Sequence, residues 1–171
     1  MLRSGIIAGL VLAVGVGVAA AQRPIREATL QDGTGKEVGR VRMELKSGEI
    51  VVEVRARGVA AGTHGLHLHE VGLCEGPSFE TAGGHFNPGN KEHGRQNPRG
   101  SHLGDLGNIT IAGNGSGDRV VTITSAEARR GIENFLGEKG RAIVIHANED
   151  DDKTDPTGNA GARVACAAVM P

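Results

Sequence analysis

The stretch Gly65-Leu66-His67-Leu68-His69 sets two imidazoles two positions apart. In a β-strand alternate side chains share a face, so His67 and His69 would stand side by side with Leu66 and Leu68 opposite. Imidazole suits zinc, copper, iron and nickel. One such pair, taken alone, reads equally well as two satisfied or surface histidines. The other histidines shift that balance. His85, His93, His102 and Asp105 fall within 21 residues, and three nitrogens with one carboxylate oxygen are a set that tetrahedral zinc accepts. His67, His69 and His146 form a second set, drawn from distant segments and one ligand short of the tetragonal nitrogen shell that copper(II) prefers. His64, three residues before His67, faces the other way on a regular strand and reads as structural. All seven histidines of the chain lie in or beside this constellation.

The elements that must hold these groups are short strands. Residues 27–32 and 39–46 read as strands, and Val41, Met43 and Leu45 alternate with Arg42, Glu44 and Lys46, the period of a half-buried strand. Ser47-Gly48 is a turn into a strand over 49–56. Further strands are expected at 108–112, 119–124, 141–147 and 163–170, with one or two helical turns within 125–136. Residues 70–107 carry almost no periodicity. A loop that long in a compact domain is uncommon and usually functional. A second polar loop, 148–161, holds Glu149, Asp150, Asp151, Asp152 and Asp155. Asn108-Ile109-Thr110 and Asn114-Gly115-Ser116 match the N-glycosylation pattern, a weak signal.

Composition agrees with an all-β reading. The chain has 171 residues with 28 glycines, three Phe, no Trp and no Tyr, and glycine at that level is costly in helices. Residues 1–21 carry one positive charge, an apolar run and Ala19-Ala20-Ala21, the pattern of a signal peptide cut after Ala21. An uncleaved anchor is the competing reading, although the apolar run is at the short end for a span. The expected mature domain is 22–171. Losing Arg3 leaves 18 basic against 20 acidic residues, net −2, which argues against a nucleic-acid binder. Two cysteines, Cys74 and Cys166, imply one disulfide in an exported chain, the alternative being two buried free thiols.

Several of these stretches together resemble the exported copper–zinc superoxide dismutases. The matching segments are Thr63-His64-Gly65-Leu66-His67-Leu68-His69-Glu70, Gly83-Gly84-His85-Phe86-Asn87-Pro88, His93-Gly94, His102-Leu103-Gly104-Asp105-Leu106-Gly107-Asn108, Ile143-Val144-Ile145-His146, and the run from Gly158 through Arg163 to Cys166. The resemblance implies an antiparallel Greek-key β-sandwich or barrel of about eight strands with two long functional loops. It implies one copper per chain on His67, His69, His85 and His146, and one zinc on His85, His93, His102 and Asp105, with His85 bridging. Asp150 matches the carboxylate that links a copper histidine to a zinc histidine, and Cys74–Cys166 matches the family disulfide. Arg163 matches the arginine that receives the anion.

The implied activity is dismutation of superoxide to oxygen and hydrogen peroxide by a redox-cycling copper beside a structural zinc, with Arg163 and His85 as the catalytic groups. The implied setting is periplasmic or secreted, with no stable membrane association after signal cleavage, no nucleic-acid partner, and a homodimer left open. Two competing functions are a catalytically silent copper carrier on the same fold and a zinc-only structural domain; the second would not need His67, His69 and His146 together. Two features depart from the family pattern. Ala167 follows Cys166 where glycine is usual, and the acids of 148–161 are expected to form a rim that slows an approaching anion.

Overall fold

The computed structural model describes residues 25–171; the expected signal peptide lies outside them. Eight strands are present: β1 (Ile25–Asp32), β2 (Glu37–Lys46), β3 (Glu49–Arg57), β4 (Gly62–His69), β5 (Asp105–Ile111), β6 (Ser116–Ile123), β7 (Arg141–His146) and β8 (Arg163–Val169). They form one antiparallel sheet in the order β5-β4-β7-β8-β1-β2-β3-β6, curled into a nearly closed barrel, as the sequence implies.

Alternation builds the core. Val41 and Met43 on β2 and Ile50, Val52, Val54 and Ala56 on β3 are all buried, and each such side chain contributes about 1.5–3 kcal/mol. Ser47 and Gly48 both have positive φ, the turn whose twist suits a two-residue hairpin. β7 is buried along its length for another reason. Ile143 and Ile145 enter the barrel core, whereas Ala142 and Val144 pack outward against Phe79, Ala82 and Cys166. The outward cluster is the floor on which the segment after Cys74 lies, fastened by a Cys74–Cys166 disulfide spanning 92 residues.

The long loop is shorter and more ordered than its composition suggests. β5 begins at Asp105, three residues ahead of the expected start, because Gly107 at φ +83° breaks the alternation that would reveal it. Within the loop, Phe86 N–H donates to Leu68 O, Leu68 N–H to Gly104 O and Gly104 N–H to Phe86 O, which ties both ends of the loop to β4. A 3₁₀ turn occupies Glu80–Ala82. The helical stretch is two short pieces, α1 (Ala126–Arg129) and α2 (Ile132–Leu136), separated by Gly131 at φ +114°. Ser125 caps α1 by accepting from Ala128 N–H. Among the described residues no helix is long and apolar enough to cross a membrane.

Candidate metal centre

β4 presents His67 and His69 away from the barrel core, and β7 ends at His146 beside them, since His67 pairs with Val144 across the ladder. His85 reaches the same point from the loop through a bridge to His69. The ring centroids of His67 and His85 are 3.9 Å apart. Each ring is fixed by one nitrogen. His69 Nδ1 donates to Gly83 O at 3.0 Å, His146 Nδ1 to Gly161 O at 3.0 Å, and His67 Nε2 to Asp150 Oδ2 at 2.7 Å. That leaves His67 Nδ1, His69 Nε2, His85 Nε2 and His146 Nε2 buried with no hydrogen-bond partner. A buried polar atom without a partner costs about 1–3 kcal/mol, and these four lie close enough together to hold one ion.

The second group gathers around one carboxylate oxygen. Asp105 Oδ1 lies 3.1 Å from His85 Nδ1, 3.0 Å from His93 Nδ1 and 3.1 Å from His102 Nδ1. His102 Nδ1 and His85 Nδ1 are 3.4 Å apart. Four ligands about 2.0–2.1 Å from a zinc ion would stand about 3.3 Å from one another in a tetrahedron. His93 Nδ1 makes no hydrogen bond in spite of its proximity to Asp105, as expected of two ligands that touch rather than of a donor and acceptor. The other oxygen, Oδ2, accepts from Gly94 N–H and His102 N–H, both at 2.9 Å. The donor sets therefore fit a four-nitrogen site and an N₃O site sharing His85, one ring nitrogen to each. His67 also falls within reach of the second group, but its Nε2 is committed to Asp150.

Asp150 joins the two groups. Its Oδ2 accepts a hydrogen bond from His67 Nε2, and its Oδ1 accepts from His93 Nε2 at 3.0 Å and from Asp152 N–H at 2.7 Å. These donations assign the tautomers, leaving Nδ1 of His67 and of His93 free of a proton and turned to the centres. Of the three consecutive aspartates, Asp150 is the one that touches both His67 and His93. Two residues that sequence reasoning did not assign hold it there. Asn108 donates to Asp150 O at 2.9 Å and accepts Asp150 N–H at 2.8 Å. Asn108 thus bonds both the N–H and the C=O of Asp150 and positions its backbone. Gly158, at φ +62°, lies so close that an added Cβ would stand 1.8 Å from Asp150 Oδ1.

Burial lowers the basicity of the first group, pushing His69 to about 2, His146 to about 3 and His85 to about 4, so these rings stay neutral, each with one nitrogen free of a proton. His93 is opposite: burial works against its charge, but Asp105 and Asp150 together raise it to about 9. Two carboxylates draw positive charge to that spot, a demand that a cation satisfies.

Arg163 faces His146 across the β7–β8 ladder. Its guanidinium donates to Phe79 O at 2.5 Å and Gly83 O at 2.6 Å, so the loop that the disulfide fastens also aims this arginine. Of the five acids expected to form a rim, Glu149, Asp151 and Asp155 are exposed and Asp150 and Asp152 are buried. Asp150 is buried; Asp152 pairs with Arg95; Asp155 accepts His93 N–H; and Asp151 accepts from Lys153, Thr154 and Asn159. Asp151 thus folds its own loop, while Asp152 and Asp155 tie that loop to the segment carrying His93 and Arg95. The ring nitrogens of His64 face only backbone carbonyls, His146 O at 2.8 Å and Ala60 O at 3.0 Å, the structural place expected of it.

The family model for copper/zinc superoxide dismutase matches residues 37–169. The chain belongs to the copper/zinc superoxide dismutase family. A Cu-Zn superoxide dismutase of Aquifex aeolicus is 35% identical over 168 residues, 97% of each chain. A superoxide dismutase-like protein of Bacillus subtilis is 40% identical over 139 residues, 80% of this chain and 71% of that one. Among solved structures, a SOD-like protein from Bacillus subtilis has a TM-score of 0.76 at 37% identity, covering 84% of this chain and 97% of the other. The Cu/Zn superoxide dismutase of Brucella abortus has a TM-score of 0.66 at 25% identity, covering 86% and 100%. The family's reaction makes this chain an oxidoreductase whose substrate is superoxide.

Proposed function

We propose that His67, His69, His146 and Nε2 of His85 hold one copper, and that Nδ1 of His85 with His93, His102 and Asp105 holds one zinc. The observation that carries this assignment is the set of five buried ring nitrogens with no partner, His67 Nδ1, His69 Nε2, His85 Nε2, His93 Nδ1 and His146 Nε2. When bound, copper supplies one-electron redox chemistry, and zinc, which does not change oxidation state, supplies charge and loop order.

The chain's own residues do the rest. Arg163 receives the anion, because two of its donors are taken by Phe79 O and Gly83 O and a guanidinium has five. Nε2 of His85, which has no hydrogen-bond partner, is the atom that would carry a proton when it is not a ligand, while Nδ1 stays with the second group. The reaction consumes two superoxide ions and two protons and yields one oxygen and one hydrogen peroxide; His85 Nε2 gives one proton and water the other. Asp150 keeps His67 and His93 in the tautomers that leave Nδ1 open. The Cys74–Cys166 bridge supports an oxidising compartment, periplasmic or secreted.

The test is metal content with superoxide consumption. Purified protein loaded with both metals should contain about one copper and one zinc per chain and consume superoxide. His69→Ala should lose the copper and the activity while keeping the zinc. Zinc alone in fully loaded wild-type protein would overturn the two-metal assignment. Two metals without turnover would favour the silent carrier.

A further inference from the structure

The barrel's last seam is closed at one end only. β5 and β6 are the two ends of the sheet order. They meet at their hairpin, where Ala112 N–H donates to Ser116 O at 2.8 Å and Gly117 lies against Thr110 O. Toward the start of β5 and the end of β6 they separate around a cleft of about 520 Å³, a volume suited to a small molecule. One wall is apolar, with Leu103, Leu106, Val121 and Ile123; hydroxyls of Thr122 and Ser125 stand on the rim.

Arg119 also lines this cleft. On β6 it shares the parity of Val121 and Ile123, which pack against the core, so it occupies a position that the strand pattern reserves for an apolar side chain. Its Nε is buried with no hydrogen-bond partner. Among the described residues no carboxylate or carbonyl pairs with its guanidinium. Arg95, the other cation lining the cleft, is held by Asp152. Asp105 reaches the same wall, but its oxygens are taken by His85, His102 and Gly94. The cleft thus combines an apolar wall with one uncompensated, partly desolvated planar fork of donors, the group best matched to a carboxylate.

We infer that this seam is a second binding site, taking a small organic carboxylate with an apolar body, its carboxylate on Arg119 and its body between Leu103, Leu106 and Val121. It is separate from the anion position at Arg163.

Benzoate and hexanoate, titrated into metal-loaded, reduced protein and followed by calorimetry and amide NMR shifts, are the probes. The expected shifts fall on residues 103–106 and 121–125. Arg119→Val should weaken binding about ten- to a hundredfold, Arg119→Lys should recover part of it, and Arg163→Ala should leave it unchanged. Superoxide turnover by Arg119→Val should equal wild type, which also reports that the variant folds. Equal affinity in Arg119→Val or in Arg119→Lys relative to wild type would overturn the assignment. So would loss of binding in Arg163→Ala, or inorganic phosphate binding as tightly as the carboxylates, since the apolar wall would then contribute nothing.

Discussion

Cys74→Ser should cost this protein both stability and rate. The disulfide spans 92 residues, and chain entropy alone makes closing such a loop worth about 4.6 kcal/mol. For a domain of this size each kcal/mol moves the midpoint by about 2–4 °C, so unfolding should fall by about 9–18 °C. The comparison belongs to metal-free protein, because bound metal adds its own stabilisation by mass action. Calorimetry of wild type and variant measures the shift. The structure adds a functional consequence. Without the bridge, residues 75–83 lose their covalent tie and keep their packing on Ala142 and Val144 and their hydrogen bonds from Val71 N–H and His69, and they carry the carbonyls of Phe79 and Gly83 that aim Arg163. Hydrogen exchange in 75–83 should rise, and superoxide consumption by the metal-replete variant should slow. A midpoint within about 3 °C of wild type, or a fall in stability with the rate and the exchange of 75–83 unchanged, would refute the coupling of this bridge to the arginine.

Gly158→Ala should displace Asp150, because the new methyl would stand 1.8 Å from Oδ1 and 2.6 Å from His93 Nε2; chelator competition should report metal affinity lower by about 10–100-fold, and unchanged affinity would remove Gly158 from the support of the site. Asn108→Ala should lower the same affinities by loosening the Asp150 backbone while leaving the ligands in place, again read by chelator competition. Arg163→Ala should keep both metals and lower the second-order rate by about tenfold or more, and stopped-flow measurements should find that the wild-type rate falls with added salt through screening while that of the variant does not.

The candidate ligands were legible because their chemistry is carried by residue type. Histidines recurring on alternate strand positions and in one loop announce a nitrogen-rich site before any fold is drawn, and the family resemblance completes the set. The framework was legible where alternation is clean, as at Val41, Met43 and Leu45. It failed at β5, where Asp105 and Gly107 replace the apolar residues that mark a strand. The acids of 148–161 do more than form a rim, because net charge in a segment does not say where each carboxylate finds its donors. Asp155 finds His93 N–H 62 residues away, and Asp150 meets Asn108 across 42. Such partners are set by tertiary approach, and a local pattern cannot display them. Asn108 was hidden for the same reason, behind a motif with another meaning.

The order of the strands has a consequence for solubility over time. A strand with unpaired N–H and C=O groups facing water is a template for other chains, and proteins ordinarily blunt it with charges, prolines or bulges. Here the two terminal strands of the sheet, β5 and β6, turn their free edges toward each other across the seam. The molecule therefore offers no outward edge among its described strands for a second copy to extend. Resistance to edge-to-edge polymerisation then comes from topology, at no expense to the surface residues that would otherwise have to guard the edges.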